Sequence, residues 1–97
     1  MYSEVERKGY QIGLMFGLTP KQTMEAIRIH KGISTHPEWD CRRSNHTLMV
    51  DCMFMKAKEH NTGLSQETAI EITRKEFGQS TQPRPSRWRD FYEKHIL

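Results

Sequence analysis

The sequence predicts an all-α protein, a small single domain that bundles four to five short helices. Two capping boxes mark helix starts, because Ser3 is followed by Glu6 and Thr19 by Gln22. Between such signals the apolar residues recur every three or four positions, and glycines follow at the expected helix ends. A chain of 97 residues, of which about 38% are apolar when Gly is counted and Tyr is left out, should form one thin core.

The first helix should begin after Ser3 and run to about Phe16, with Gly17 as a left-handed cap. Gly9 and Gly13 are four residues apart, so they share one face and allow another helix to approach closely. The side chains predicted to face the core are Val5, Ile12, Met15 and Phe16.

The second helix is predicted from Thr19 as the cap and Pro20 at the first helical position, where a missing amide hydrogen costs nothing. Gly32 is expected to end it. Its inward stripe should consist of Met24, Ile27 and either His30 or Lys31. Residues 33–43 should form an irregular loop, in which Trp39 serves as an anchor.

A third helix should start at Ser44 or Asn45 and continue through His60. It is apolar nearly all round, which indicates a central element buried on several sides. A strand over residues 47–55 is the competing interpretation, but the methionine content favours a helix. The apolar side chains concerned are Leu48, Met49, Val50, Cys52, Met53, Phe54 and Met55.

Asn61 and Gly63 should stop the third helix, and Ser65 should cap a fourth helix that Gly78 ends. Residues 1–78 would then be a helical body. Residues 79–97 would form a Pro/Arg-rich connector and a C-terminal aromatic helix, capped by Ser86. This segment belongs either to the same domain or to a docking arm.

The formal net charge of +3 is mild, and acids lie among the bases almost everywhere. Residues 79–89 depart from this balance, because they contain three arginines and no acid. Two cysteines are too few for a disulfide framework. There is no apolar leader and no run of about 20 apolar residues, so we expect a cytoplasmic protein that does not enter a membrane.

The histidines and cysteines do not show the spacing of a metal site. Zinc ligands usually come in pairs two to four residues apart, whereas the intervals here are longer. A site assembled from distant positions stays open. The residues concerned are His36, Cys41, His46, Cys52 and His60. The chain also lacks a phosphate-binding loop and a hydrolase motif, so we predict neither an enzyme nor a cofactor.

The C-terminal segment carries the residue types of a protein-binding surface. Prolines hold a chain extended before it binds, and Arg and Trp are enriched at interface hot spots. The predicted contact residues are Pro83, Arg84, Pro85, Arg87, Trp88, Arg89, Phe91 and Tyr92, with a weaker patch at Trp39, Arg42 and Arg43. The proline pairs also suit a prolyl isomerase as a partner. The competing interpretation is a stiff linker whose arginines point to water.

Direct DNA binding is the alternative. Residues 69–92 have a small residue inside a helix, Phe-Gly at a turn, and an Arg-Trp-bearing helix beyond, as in a helix-turn-helix. Pro83 and Pro85 oppose it, since they fall where the recognition helix should already be running.

A short, Met-rich, helical chain with a basic tail resembles the anti-RecBCD proteins of P22-type lambdoid phages in overall size and character. The resemblance implies a phage protein that acts in the host cytoplasm. It implies that the protein binds the host recombination helicase–nuclease and inhibits or redirects its activity.

Overall fold

The computed structural model describes residues 3–39, 45–78, 90 and 92–95. These residues form four helices: α1 (Glu4–Met15), α2 (Pro20–Ser34), α3 (Asn45–Glu59) and α4 (Gln66–Phe77). Asp90 and residues 92–95 are also helical, and the described part of the chain contains no strand. The predicted all-α class is therefore confirmed. None of the described helices is long and apolar enough to cross a bilayer.

Both predicted capping boxes are present. The Ser3 hydroxyl accepts from the Glu6 amide at 3.2 Å, while the Glu6 carboxylate accepts from the Ser3 amide at 3.0 Å. The hydrogen bond from the Ser3 amide holds the pKa of Glu6 below its usual value. Thr19 and Gln22 make the same reciprocal pair at 3.2 and 3.0 Å. Local sequence alone thus sets where α1 and α2 begin.

The turn between α1 and α2 is a Schellman motif. Gly17 has φ 95°, and the amides of Gly17 and Leu18 donate to the carbonyls of Leu14 and Gly13. Gly78 has φ 74° and ends α4, as predicted.

The predicted end of α2 at Gly32 is wrong. The helix continues to Ser34, and the hydroxyl of Thr35 donates to the Lys31 carbonyl at 2.7 Å. Ile33 explains the extension, because one further turn buries this side chain completely, with 0% exposure. Burying an isoleucine stabilises the fold by about 1.5–3 kcal/mol, which exceeds the roughly 1 kcal/mol cost of a helical glycine. Ile33 is therefore a core residue and not part of the irregular loop.

α3 is the central helix, as its all-round apolar sequence predicted. It packs against α1, α2 and α4. Every residue from Leu48 to Phe54 is buried, including Asp51. The strand interpretation of residues 47–55 is thereby excluded, and a helix lined by methionines forms the middle of the core.

The two glycines of α1 allow close packing, as expected. A Cβ atom at Gly9 would lie 2.6 Å from Met49 Cγ, and one at Gly13 would lie 2.5 Å from Thr23 Cγ2. Gly9 therefore packs on α3, and Gly13 packs on α2 close to the turn. The α1 backbone approaches both helices along this one strip.

Met15 was predicted to face inward, and this prediction is wrong, since its side chain is 46% exposed. The buried strip of α1 runs through Ile12 and Phe16 beside the two glycines. Successive helical residues are rotated by about 100° about the helix axis. Because the buried strip is narrow, the Met15 side chain falls outside it. Leu14, on the face of α1 away from the buried strip, is 42% exposed.

Candidate partner-binding site

Trp39 and Tyr92 are the predicted contact residues that the structure describes. The others lie outside the described residues and stay a prediction: Arg42, Arg43, Pro83, Arg84, Pro85, Arg87, Trp88, Arg89 and Phe91. Ser86, predicted as a cap, and the connector 79–85 lie outside them as well.

Trp39 and Tyr92 are both half-buried and pack against the hydrophobic core. The Trp39 amide donates to the His36 carbonyl at 3.0 Å, which closes a turn after α2. The anchor role predicted for Trp39 is therefore confirmed. Each aromatic ring divides its surface between the core and the exterior, so each can take part in a contact only with its exposed part.

A ring contact joins the loop after α2 to the C-terminal helical segment. The rings of His36 and His95 lie 5.1 Å apart between centroids and are tilted by 53°. Trp39 follows His36 by three residues, and Tyr92 precedes His95 by three. The loop that carries Trp39 and the helical segment that carries Tyr92 are therefore in contact at these two histidines. His36 is also held locally, because its Nδ1 accepts from the Glu38 amide at 3.1 Å.

A second surface, between α1 and α2, was missed from the sequence. The two helices enclose a groove of about 470 Å³, lined by Glu6, Arg7, Tyr10, Gln11, Met24 and Ile27. The spacing of Arg7, Tyr10, Gln11 and the exposed Leu14 is that of one helical face. The sequence already contains this spacing, so this face of α1 could have been predicted from it.

Around this groove the acidic side chains have partners among the described residues, whereas several basic side chains do not. The acids of α1 and α2 are engaged: Glu4 lies 3.4 Å from Lys8, Glu6 belongs to its capping box, and Glu25 lies 3.3 Å from Lys56. Four exposed bases on the same two helices form no ion pair with any described residue: Arg7, Lys21, Arg28 and Lys31. The exposed side of α2 is consequently basic.

Cys52 is a core residue, as its sequence context indicated. Its thiol is buried in α3, and this burial, together with the neighbouring charge of Asp51, raises its pKa well above the ordinary value. Of the other residues weighed as metal ligands, His46 packs edge-on against Phe77 with centroids 4.7 Å apart. Cys41 lies outside the described residues. No group of three or more His, Cys, Asp or Glu that could hold a metal is found where the structure describes the chain.

The predicted helix-turn-helix at residues 69–92 is described only in its first half. Ala69 and Thr73 of α4 are wholly buried, and α4 ends at the left-handed Gly78. The predicted recognition helix lies mostly outside the described residues, so this alternative stays a prediction.

No protein-family model, curated protein or solved structure matches the chain.

Proposed function

We propose that this protein is a phage-type modulator that binds a host recombination helicase–nuclease of the RecBCD type and inhibits or redirects it. The structural observation in its favour is the His36–His95 contact, which joins the loop that carries Trp39 to the helical segment that carries Tyr92. The resemblance to anti-RecBCD proteins supplies the identity of the partner. Interfaces place a few aromatic and arginine anchors at their centre, and the residues predicted for this surface are rich in both types.

The parts of this surface have different roles in the proposal. Trp39 and Tyr92 are held by the core, so they present their exposed parts with little loss of side-chain freedom. Arg84, Arg87 and Arg89 supply charge, and they pair with acidic groups of the partner. Trp88 and Phe91 fill an apolar pocket. Binding at a regulatory or DNA-entry surface of the enzyme would then change its activity on linear duplex DNA.

The direct test uses the purified chain and a purified RecBCD complex. We expect a complex that co-migrates in size-exclusion chromatography and changes nuclease activity on linear duplex DNA. Arg87→Ala combined with Trp88→Ala should weaken binding at least about 30-fold, because truncating a hot-spot residue costs about 2 kcal/mol or more.

The matched control is Lys75→Ala, which also removes one exposed base, on α4, and leaves every core side chain in place. Circular dichroism should show unchanged helicity in both variants. If the wild-type chain forms no complex with the enzyme, or if the Arg87/Trp88 variant binds as tightly as the control, the proposal is wrong.

A further inference from the structure

We propose that α1, its turn and α2 form a helix-turn-helix unit whose basic α2 face binds the major groove of duplex DNA. This site is distinct from the C-terminal surface proposed above. It also differs from the segment 69–92 in which a helix-turn-helix was predicted. The inference does not depend on the proposed function and can stand if that function fails.

The connection between the helices has the required form. Four residues, 16–19, separate α1 from α2, and Gly17 is the left-handed residue among them. A helix-turn-helix joins its helices through three or four residues that often include glycine. The Thr19–Gln22 capping box then fixes the direction in which α2 leaves the turn.

The two helices touch near the turn and leave a groove farther out. At Gly13 the α1 backbone lies so close to Thr23 that a Cβ atom would approach its Cγ2 to 2.5 Å. Beyond this contact, the groove of about 470 Å³ opens between Tyr10 on α1 and Met24 on α2. We infer from this that α2 can present its outer face to a DNA groove while α1 lies across the backbone.

The inner face of α2 packs against the rest of the protein, and its outer face is exposed. Thr23, Ala26, Ile27, His30 and Ile33 bury its inner face, mainly against α3. A recognition helix needs this support, because it must keep its orientation when the outer face binds. α2 has 15 residues and is therefore about 22 Å long, enough to lie along a major groove about 12 Å wide.

The outer face of α2 carries the appropriate charge. Lys21, Arg28 and Lys31 are exposed and lie at intervals of seven and three residues, which places them on one side of the helix. They span about 15 Å, so they can reach phosphates on both edges of a major groove.

The acids near this face are already compensated. Glu25, on the same side of α2, lies 3.3 Å from Lys56, whose side chain is only 13% exposed. Glu6 accepts from the Ser3 amide, and Lys31 and His30 also lie near enough to lower its pKa, so Lys31 is the partly compensated member of the three bases. Arg7, exposed on α1 at the edge of the groove, adds a base where the first helix would cross the DNA backbone.

The test measures binding of the full chain to a fluorescein-labelled 30-base-pair duplex by anisotropy at several salt concentrations. Three phosphate contacts predict a slope of log K against log salt of about −2.7, or about a 40-fold loss of affinity between 50 and 200 mM salt. Lys21→Ala, Arg28→Ala and Lys31→Ala together should reduce this slope by two units or more. The charge-conserving triple variant K21R/R28K/K31R should retain it.

The matched control is K58A/K75A/K94A, which removes the same number of charges from other exposed positions. A second comparison, R84A/R87A/R89A, examines the C-terminal arginines. The inference is overturned if the wild-type chain does not bind the duplex at 50 mM salt, or if the α2 variant binds like the control. It is also overturned if only the C-terminal variant loses binding. A poly-glutamate peptide that binds the α2 face more tightly than the duplex would indicate an acidic protein segment instead.

Discussion

At the scale of single residues, burial decides the chemistry of Cys52. The thiol is 1% exposed, beside the wholly buried Asp51 in the middle of α3. Desolvation disfavours the thiolate, and the charge of Asp51 adds to this effect, so the pKa of Cys52 is raised. Because the thiolate is the nucleophile, Cys52 should be chemically inert in the folded protein.

We therefore predict that Cys52 reacts with a disulfide reagent only when the protein unfolds. In a Cys41→Ser variant, where it is the sole thiol, labelling at pH 8 should be at least about 100-fold slower in buffer than in 6 M guanidinium chloride. Equal rates under the two conditions would show that the thiol is accessible in the native state.

The raised pKa also has a consequence for stability against pH. Above the ordinary pKa of a cysteine the unfolded chain loses the thiol proton while the folded protein keeps it. The unfolded state then binds fewer protons, so the free energy of unfolding falls as the pH rises through this window. The free energy of unfolding continues to fall until the pH reaches the pKa of Cys52 in the folded protein. At pH values below the ordinary cysteine pKa, the thiol does not change the free energy of unfolding with pH.

At the scale of elements, the position of α1 depends on two glycines with different neighbours. Gly9 lies against the flexible side chain of Met49. Gly13 lies against Thr23, a stiff β-branched side chain that is wholly buried, and against Met53. The Thr23 hydroxyl also donates to the Thr19 carbonyl at 2.8 Å, which holds this side chain in place.

We predict that Gly13→Ala lowers the free energy of unfolding by about 1–2 kcal/mol. Overpacking costs about 1–3 kcal/mol, and the gain in helix propensity offsets up to about 1 kcal/mol of it. Gln11→Ala, at an exposed position of the same helix, is the matched control and should stay within about 0.5 kcal/mol of the wild type. Urea unfolding would measure both, and a Gly13 variant as stable as the Gln11 variant would contradict this explanation.

At the scale of the whole molecule, α3 is the centre on which the other helices are assembled. α1 and α2 pack on it and on each other, while α4 packs mainly on α1. The C-terminal segment joins this assembly through Tyr92, which packs against the core, and through the His36–His95 contact. The last residues described thus take part in the fold, in addition to any role in binding.

We predict that Tyr92→Ala lowers the free energy of unfolding by about 1–3 kcal/mol. The ring is only half-buried, so the cost should be below the roughly 3–5 kcal/mol of a fully buried aromatic residue. Lys94→Ala, exposed in the same helical segment, should leave the unfolding midpoint unchanged. If the two variants unfold at the same denaturant concentration, Tyr92 does not help to hold this segment on the body.

The sequence by itself determined the all-α class and most helix boundaries. These features depend on neighbouring residues: a capping box acts across three positions, and left-handed Gly17 and Gly78 end their helices locally. The apolar character of residues 48–55 likewise made α3 the central helix before any contact was known. At the candidate site, the sequence identified Trp39 as an anchor of its loop, while the partner contact predicted for Tyr92 stays a prediction.

Only the tertiary structure decided the features that depend on distant residues. It extended α2 past Gly32 because Ile33 finds a place in the core, and it buried His30 while leaving Lys31 exposed. It turned Met15 outward, because the glycines of α1 make the buried strip narrow. It also opened the groove between α1 and α2 and placed His36 beside His95. Packing between residues far apart along the chain sets each of these outcomes, and no local pattern encodes it.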